Sequence, residues 1–389
     1  MIGRGRTLAL LCALGLCAAA QAAEPAPRFA NGLPSGPDAF PIAVWLQQPA
    51  NAAEFRAIGI NVFVGLWQGP TERQLATLAR LGMPVIAAQN EVALHSPDIG
   101  MVKGWLYEVD EPDNAQPGGV RGFGACVPAA EVRARVSEMR ARDPTRPIYV
   151  GFGRGVADPS WRGRGRCTGD DSYYDEASVG ADILAFDIYP IASRRLALGG
   201  ELDAPARGVR RLRAAAREGQ QVWAAFETTG MHGPDRVTPA QLRSEVLLAL
   251  IAGAQGIVYF AHDWTGGFRE DGLFRYPDIV AAIGGLNALI LRLAPALNSP
   301  ALEGRVSVAS ALQTETLLKA HDGALYLFAG STAKEAGEAA FTLSDVGDAR
   351  AEVLGEDRTV AVTGGTLTDA FAPYGVHIYR IAAAAAKSP

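Results

Sequence analysis

Two carboxylates stand where apolar, strand-like runs of this sequence end. Glu111 lies in the segment YEVDEPD, residues 107–113, and Glu227 lies in the segment AFETT, residues 225–229. A pair of carboxyl groups can cleave a glycosidic bond, because one protonates the leaving oxygen while the other attacks or stabilises the oxocarbenium-like carbon. The pair therefore predicts sugar chemistry, provided that the fold brings Glu111 and Glu227 together.

The composition is that of a globular protein. The chain has 389 residues, of which 49% are hydrophobic and 20% charged, and its formal net charge is −5. This length allows one large domain and a small one. A mildly acidic chain gives no reason to expect a nucleic-acid partner, whereas a neutral carbohydrate is a suitable one.

Residues 1–22 have the pattern of a secretory signal peptide. Arg4 and Arg6 precede an apolar run, residues 8–20, which is followed by a small-x-small cleavage pattern at 20–22. The run is too short to span a bilayer comfortably, and no later segment is apolar for that length without charges. We expect a soluble, periplasmic or secreted protein without a membrane span.

Two cysteines remain once the leader is removed, Cys126 and Cys167. In an oxidising compartment such a pair is more often a disulfide than a reactive site, and two free buried thiols are the alternative. A bridge would join the loops after the fourth and fifth strands, and it would stiffen one wall of the cleft between them.

Apolar runs alternate with amphipathic helical patterns over most of the chain, which indicates parallel strands joined by helical crossovers. Five longer helices are predicted, at 71–81, 128–142, 205–218, 239–254 and 278–297. The predicted strands number eight, at 41–46, 61–67, 84–89, 103–109, 147–152, 182–189, 221–227 and 257–262. Eight strands with crossovers favour a closed (β/α)8 barrel, a TIM barrel, over an open doubly wound sheet.

After residue 300 the hydrophobic period changes to two. Short strand patterns separated by Gly and Asp turns, with no helix between them, predict a small antiparallel β-sandwich. The predicted domains are therefore a barrel at 23–300 and an accessory sandwich at 301–383.

At this point the chain resembles the clan A glycoside hydrolases, which are retaining enzymes on (β/α)8 barrels, over roughly residues 40–300. The segment Asp110-Glu111-Pro112 is similar to the clan's Asn-Glu-Pro, which implies that Glu111 is the acid/base. Glu227, at the end of the seventh strand, corresponds to the nucleophile. The segment DIYP, residues 187–190, implies that the Tyr189 hydroxyl bonds the nucleophile and adds Asp187 to the substrate site. Trp264 corresponds to an aromatic floor for the sugar.

The departure from the clan pattern is Asp110, which stands where an Asn holds the substrate 2-hydroxyl. An Asp can accept that hydrogen bond but cannot donate as an amide does, and its charge would raise the pKa of its neighbour. Glu108 and Asp110 compete with Glu111 as proton donors. Strand alternation puts Glu111 on the face of Trp105 and Tyr107 and puts its two competitors on the other. An arginine-paired loop acid is the non-catalytic alternative for Glu111.

Aromatic rings near strand ends can bind the apolar faces of sugar rings. Trp45, Trp67 and Trp264 occupy such positions, whereas Trp105 and Trp223 lie earlier in their strands and are predicted core residues. Further candidates for substrate contact, each with a purely structural alternative, are Trp161 as a distal platform, Gln89, Asn90 and His262.

Two weaker motifs add nothing to the functional prediction. GFGRG, residues 151–155, lacks the full dinucleotide fingerprint, and the acidic segment 170–176 is more typical of a solvated loop than of a calcium site. We expect neither a cofactor nor a metal. The sequence predicts a monomeric, exported, retaining β-glycoside hydrolase with a carbohydrate substrate, most similar to the endo-β-1,3-glucanases of glycoside hydrolase family 158. A β-galactosidase or β-mannanase type and an inactive glycan-binding barrel are the alternatives.

Overall fold

The computed structural model describes residues 28–118, 124–161, 171–192 and 198–382. Eight parallel strands close into a barrel in chain order, each pairing with the next and β8 with β1. The strands are β1 Ile42–Trp45, β2 Val62–Val64, β3 Val85–Ala88, β4 Val102–Leu106, β5 Ile148–Phe152, β6 Ile183–Asp187, β7 Gln221–Glu227 and β8 Gly256–Phe260. The predicted (β/α)8 fold is confirmed.

Helices surround this barrel between the strands. They are α1 Ala52–Ala57, α2 Glu72–Leu81, α3 Glu91–His95, α4 Ala129–Arg142, α5 Asp171–Ala177, α6 Ala204–Ala215, α7 Pro239–Ile251 and α8 Pro277–Leu297. The three short ones, α1, α3 and α5, were not predicted, because fewer than eight residues give too little periodicity. The acidic segment 170–176, expected as a solvated loop, contributes its residues from 171 onward to α5.

Side-chain alternation divides the barrel core into two layers. Small and branched residues such as Val62, Val64 and Ala185 fill the interior, together with the indole of Trp223. Gly256 faces that indole, and a Cβ there would lie 2.4 Å from its Cε2 atom. Glycine at the start of β8 is therefore required by packing.

The C-terminal residues form two antiparallel sheets, as predicted. One has five strands in the order β10-β11-β16-β13-β14, and the other has three in the order β15-β12-β9. The strands are β9 Val306–Ser310, β10 Thr314–His321, β11 Ala324–Ser331, β12 Gly337–Leu343, β13 Ala349–Val353, β14 Arg358–Val362, β15 Thr366–Phe371 and β16 Val376–Ala382. Phe328 and Ile378 of this domain belong to the same apolar cluster as the barrel helices.

By length and composition, α8 could cross a membrane, although no span was expected after the leader. Half of its most apolar window is buried within the protein, where Ile283 and Ile290 join the barrel core. The helix thus serves as the eighth barrel helix. The predicted signal peptide, residues 1–22, lies outside the described residues.

Candidate active site

The carboxyl ends of the barrel strands surround a cavity of about 420 Å³. In a (β/α)8 barrel, this is the end where reacting groups gather. Tyr149 and Phe260, which the sequence did not single out, line it together with His232. The predicted site residues that line it are Trp45, Trp67, Asp110, Glu111, Asp187, Tyr189, His262 and Trp264.

The loop after β4 holds Glu111 in an unusual backbone conformation. Its φ is 47°, in the left-handed region, and the Asn114 side-chain amide donates a hydrogen bond to its carboxylate. Gln116 Nε2 donates to its carbonyl oxygen at 3.0 Å. A Cβ at Gly153 would lie 3.0 Å from the Glu111 carboxyl carbon, so the GFGRG segment supplies room for this side chain.

The carboxyl group of Asp187 lies beside that of Glu111, close enough for the two to share a hydrogen bond. Such a bond requires a shared proton, since two ionised carboxylates would repel. Burial, followed by the charges of Glu111 and Asp110, raises the pKa of Asp187 well above its ordinary value. The neighbouring Tyr189 hydroxyl favours the ionised form of Asp187 and opposes that rise. Asp187 is therefore the member of the pair in which the protonated form is favoured.

Asp113 supports the same loop and was not singled out from the sequence. Its carboxylate accepts hydrogen bonds from the Gly153 amide at 2.8 Å and from the Tyr174 hydroxyl at 2.9 Å. Burial raises the pKa of Asp113 to about 6, although both hydrogen bonds oppose the rise. The carboxyl thus links the loop after β4 to the loop after β5 and to α5.

Aromatic rings form the opposite wall of the cavity. Trp67 stacks on His262, with ring centroids 5.6 Å apart, and Trp264 stacks on His232 at 4.5 Å. His262 Nε2 lies 2.9 Å from the carbonyl oxygen of Leu46. Burial lowers the pKa of His262, so its imidazole is neutral and the nitrogen facing this carbonyl carries the hydrogen. The ring contributes shape to the wall and no charge.

Glu227 lies elsewhere than the sequence led us to expect. Its side chain is fully buried and does not line the cavity. The carboxylate accepts hydrogen bonds from the backbone amides of Ile191, at 2.7 Å, and Ala192, at 2.5 Å. Burial raises the pKa of Glu227 to about 7 against these two bonds. In this arrangement Glu227 fixes the segment after β6, and the Tyr189 hydroxyl acts on Asp187 instead of Glu227.

Three other predicted substrate contacts have structural partners. Gln89 Nε2 donates to the Met139 carbonyl oxygen of α4, and Asn90 caps α3 by accepting from the Ala93 amide at 2.8 Å. Trp161 Nε1 donates to Asn114 Oδ1 at 3.0 Å, so it supports the residue that holds Glu111. None of the three lines the cavity, and their contacts with substrate stay predictions.

The competing acid Glu108 is bound by Arg135, with Nε and Oε1 2.6 Å apart, outside the cavity. Cys126 is partly buried in the loop after β4, while Cys167 lies outside the described residues, so their bridge stays a prediction. Within the described ranges, no cluster of three His, Cys, Asp or Glu side chains could hold a metal ion.

The sequence matches no family model and no curated protein. Solved structures do resemble it. An α-amylase from Geobacillus thermoleovorans, complexed with acarbose, has a TM-score of 0.52 at 13% identity, covering 91% of this chain and 100% of that one. A proposed α-galactosidase from Bacteroides fragilis has a TM-score of 0.51 at 14% identity, covering 89% of this chain and 80% of that one. At such identities the likeness shows the fold.

Proposed function

We propose that this protein is a glycoside hydrolase whose reacting pair is Glu111 and Asp187. The proposal depends on the neighbouring carboxyl pair in a cavity walled by Trp45, Trp67 and Trp264. Glycosidic cleavage needs one protonated and one ionised carboxyl, and the raised pKa of Asp187 favours its role as the protonated member. The rings supply flat apolar faces for a sugar beside that pair.

In this mechanism Asp187 donates its proton to the glycosidic oxygen while the Glu111 carboxylate attacks the anomeric carbon. The C–O bond breaks, the alcohol leaves, and a glycosyl ester forms on Glu111. Asp187, now ionised, takes a proton from a water molecule whose oxygen attacks the same carbon and releases Glu111. Inverting enzymes need about 6.5–9.5 Å between their carboxyls to admit water. Retaining enzymes hold theirs only about 5–5.5 Å apart, so neighbouring carboxyls such as Glu111 and Asp187 fit retention better than inversion.

The assignment differs from the prediction based on clan A, in which Glu111 is the proton donor and Glu227 the nucleophile. That alternative requires Glu227 to leave the amides of Ile191 and Ala192 and enter the cavity. It stays open as a prediction, and azide rescue with an activated aryl β-glycoside distinguishes the two.

Azide takes the place of the deleted carboxyl. The configuration of the glycosyl azide therefore shows whether that carboxyl was the nucleophile or the acid/base. We expect Glu111→Ala to give a glycosyl azide of inverted configuration and Asp187→Ala to give one of retained configuration. Glu227→Ala should turn over the aryl glycoside without azide. An inverted azide product from Glu227→Ala would instead establish Glu227 as the nucleophile.

The first substrate to test is β-1,3-glucan, as the family 158 resemblance suggests, followed by β-galactan and β-mannan. Release of reducing ends from one of these by the wild-type protein, and not by Glu111→Gln, is the expected result. Binding without any turnover would favour the inactive glycan-binding barrel. We further propose export through the leader at 1–22 and a monomeric state, which N-terminal sequencing of the secreted protein and light scattering would check.

A further inference from the structure

The loop after β8 places large apolar surface outside the cavity. Phe268 is 47% exposed and Trp264 is 36% exposed, and their ring centroids are 5.2 Å apart. Phe268 also contacts Trp67 and His262 edge-on, at 5.6 and 5.5 Å. Those two neighbours line the cavity and Phe268 does not. Phe268 therefore stands at the rim, continuous with the aromatic wall.

The segment that carries Phe268 is a rigid hairpin. The backbones of Asp263 and Arg269 exchange hydrogen bonds of 2.9 and 2.8 Å, and Gly266 and Gly267 supply the left-handed turn. The buried Asp263 carboxylate accepts from the Thr265 amide at 2.8 Å and from the Tyr276 hydroxyl at 2.7 Å. The rings are thus held in place before any ligand arrives, which reduces the ordering cost of binding.

We propose that Phe268, with the exposed part of Trp264, binds a sugar ring of the substrate outside the cavity. The substrate would then be a glycan chain with at least one unit beyond the residue being cleaved. This inference rests on the proposed glycoside hydrolase function. Phe268 would be a specificity-determining residue that selects longer chains.

The surroundings of Phe268 suit a sugar better than another protein. Two partly exposed rings are too small an apolar surface for a stable protein interface. They adjoin the exposed Arg269, which forms an ion pair with Asp271 and offers donors beside an apolar face. A sugar ring needs both an apolar contact and hydrogen-bonding partners for its hydroxyls.

Calorimetric binding to the Glu111→Gln protein tests the inference without turnover. The probes are oligomers of two to five units of β-1,3-linked glucose, β-1,4-linked galactose and β-1,4-linked mannose. We expect affinity to rise with chain length in one series. Adding Phe268→Ala to this variant should weaken the affinity for the longer oligomers about tenfold, because one ring contact is lost. The affinity for the dimer should stay nearly unchanged.

Leu291→Ala is the control, because Leu291 is also an exposed apolar side chain, at 36%, and lies on α8. It should leave every affinity unchanged. The inference is overturned if no series binds, or if Phe268→Ala binds all lengths as its parent does. If the length dependence of binding is lost in Phe268→Ala and the wild-type protein hydrolyses none of these glycans, the result would support sugar binding at Phe268. The same result would contradict the proposed hydrolase function.

Discussion

Tyr189 influences the pKa of Asp187, its neighbour in the cavity. Its hydroxyl favours the ionised carboxylate, so the raised pKa of Asp187 would rise further without it. The protonated form of Asp187 starts the reaction, so activity is lost as pH rises through this pKa. We predict that Tyr189→Phe moves the alkaline limb of the kcat/KM profile to higher pH.

The control for that prediction is Tyr149→Phe, which removes a second phenol hydroxyl from the cavity wall. It should leave the alkaline limb near its wild-type position. An alkaline limb in Tyr189→Phe that stays in place, or moves down, would show that another group is the proton donor.

Glu245 of α7 illustrates the cost of a buried acid. It is fully buried, and neither carboxylate oxygen has a hydrogen-bond partner among the described residues. Burial, and then the charge of Glu227, raises its pKa well above the ordinary value of 4.5. The folded protein therefore keeps a proton that the unfolded chain releases. The contribution of Glu245 to the free energy of unfolding therefore falls as pH rises above 4.5, by about 1.4 kcal/mol per pH unit.

We predict that Glu245→Met stabilises the protein more at pH 8 than at pH 5, as measured by the free energy of unfolding in urea. Glu138→Gln, which changes an exposed carboxylate, should leave the pH dependence as in wild type. Equal effects of Glu245→Met at the two pH values would mean that Glu245 is ionised in the fold.

The candidate site was predictable in position and only partly in detail. Strand ends located Glu111, Asp187 and Tyr189 because parallel strands deliver such residues to one rim. Side-chain direction was harder to obtain. Alternation could not place Glu111, since β4 ends at Leu106 and the left-handed φ of Glu111 resets the direction. Glu227 turned to two backbone amides that no sequence pattern marks.

Side-chain caps explain why the starts of α2 and α7 could be predicted from the sequence. Thr238 begins α7 with a capping box, in which its hydroxyl accepts from the Gln241 amide and Gln241 Oε1 accepts from the Thr238 amide. Thr71 and Gln74 do the same for α2. The sequence pattern and the hydrogen bonds are local, so the first turn can be read without knowing the fold.

We predict that Thr238→Ala destabilises the protein by about 1 kcal/mol, which lowers the melting temperature measured by calorimetry by about 1 °C in a single transition of a chain of this length. Thr238→Ser keeps the hydroxyl, so its melting temperature should stay close to that of the wild type in the same calorimetric measurement. A full loss in the serine variant would point to the threonine methyl group rather than to the cap.

At the scale of the whole molecule, one apolar cluster is shared by the barrel and the sandwich, although the sandwich also has a separate cluster of its own. Leu248 and Ile251 of α7 meet Gly330 of β11, and Phe328 belongs to the barrel cluster. Arg210 of α6 also pairs with Glu315 of β10. Periodicity predicted each domain separately, but the contact between them depends on residue sizes at distant positions, which one sequence does not reveal. A shared core predicts that both domains unfold together.

Gly330 is the position at which this coupling can be broken. A Cβ there would lie 2.6 Å from Leu248 Cδ2, so a larger side chain must push β11 away from α7, at a cost of about 1–3 kcal/mol. We predict one calorimetric transition for wild type and two for Gly330→Val, the sandwich melting first. Gly347→Ala, where a Cβ meets nothing within 4 Å, should keep the single transition. Two transitions already present in wild type would show that the domains fold independently despite their common apolar cluster.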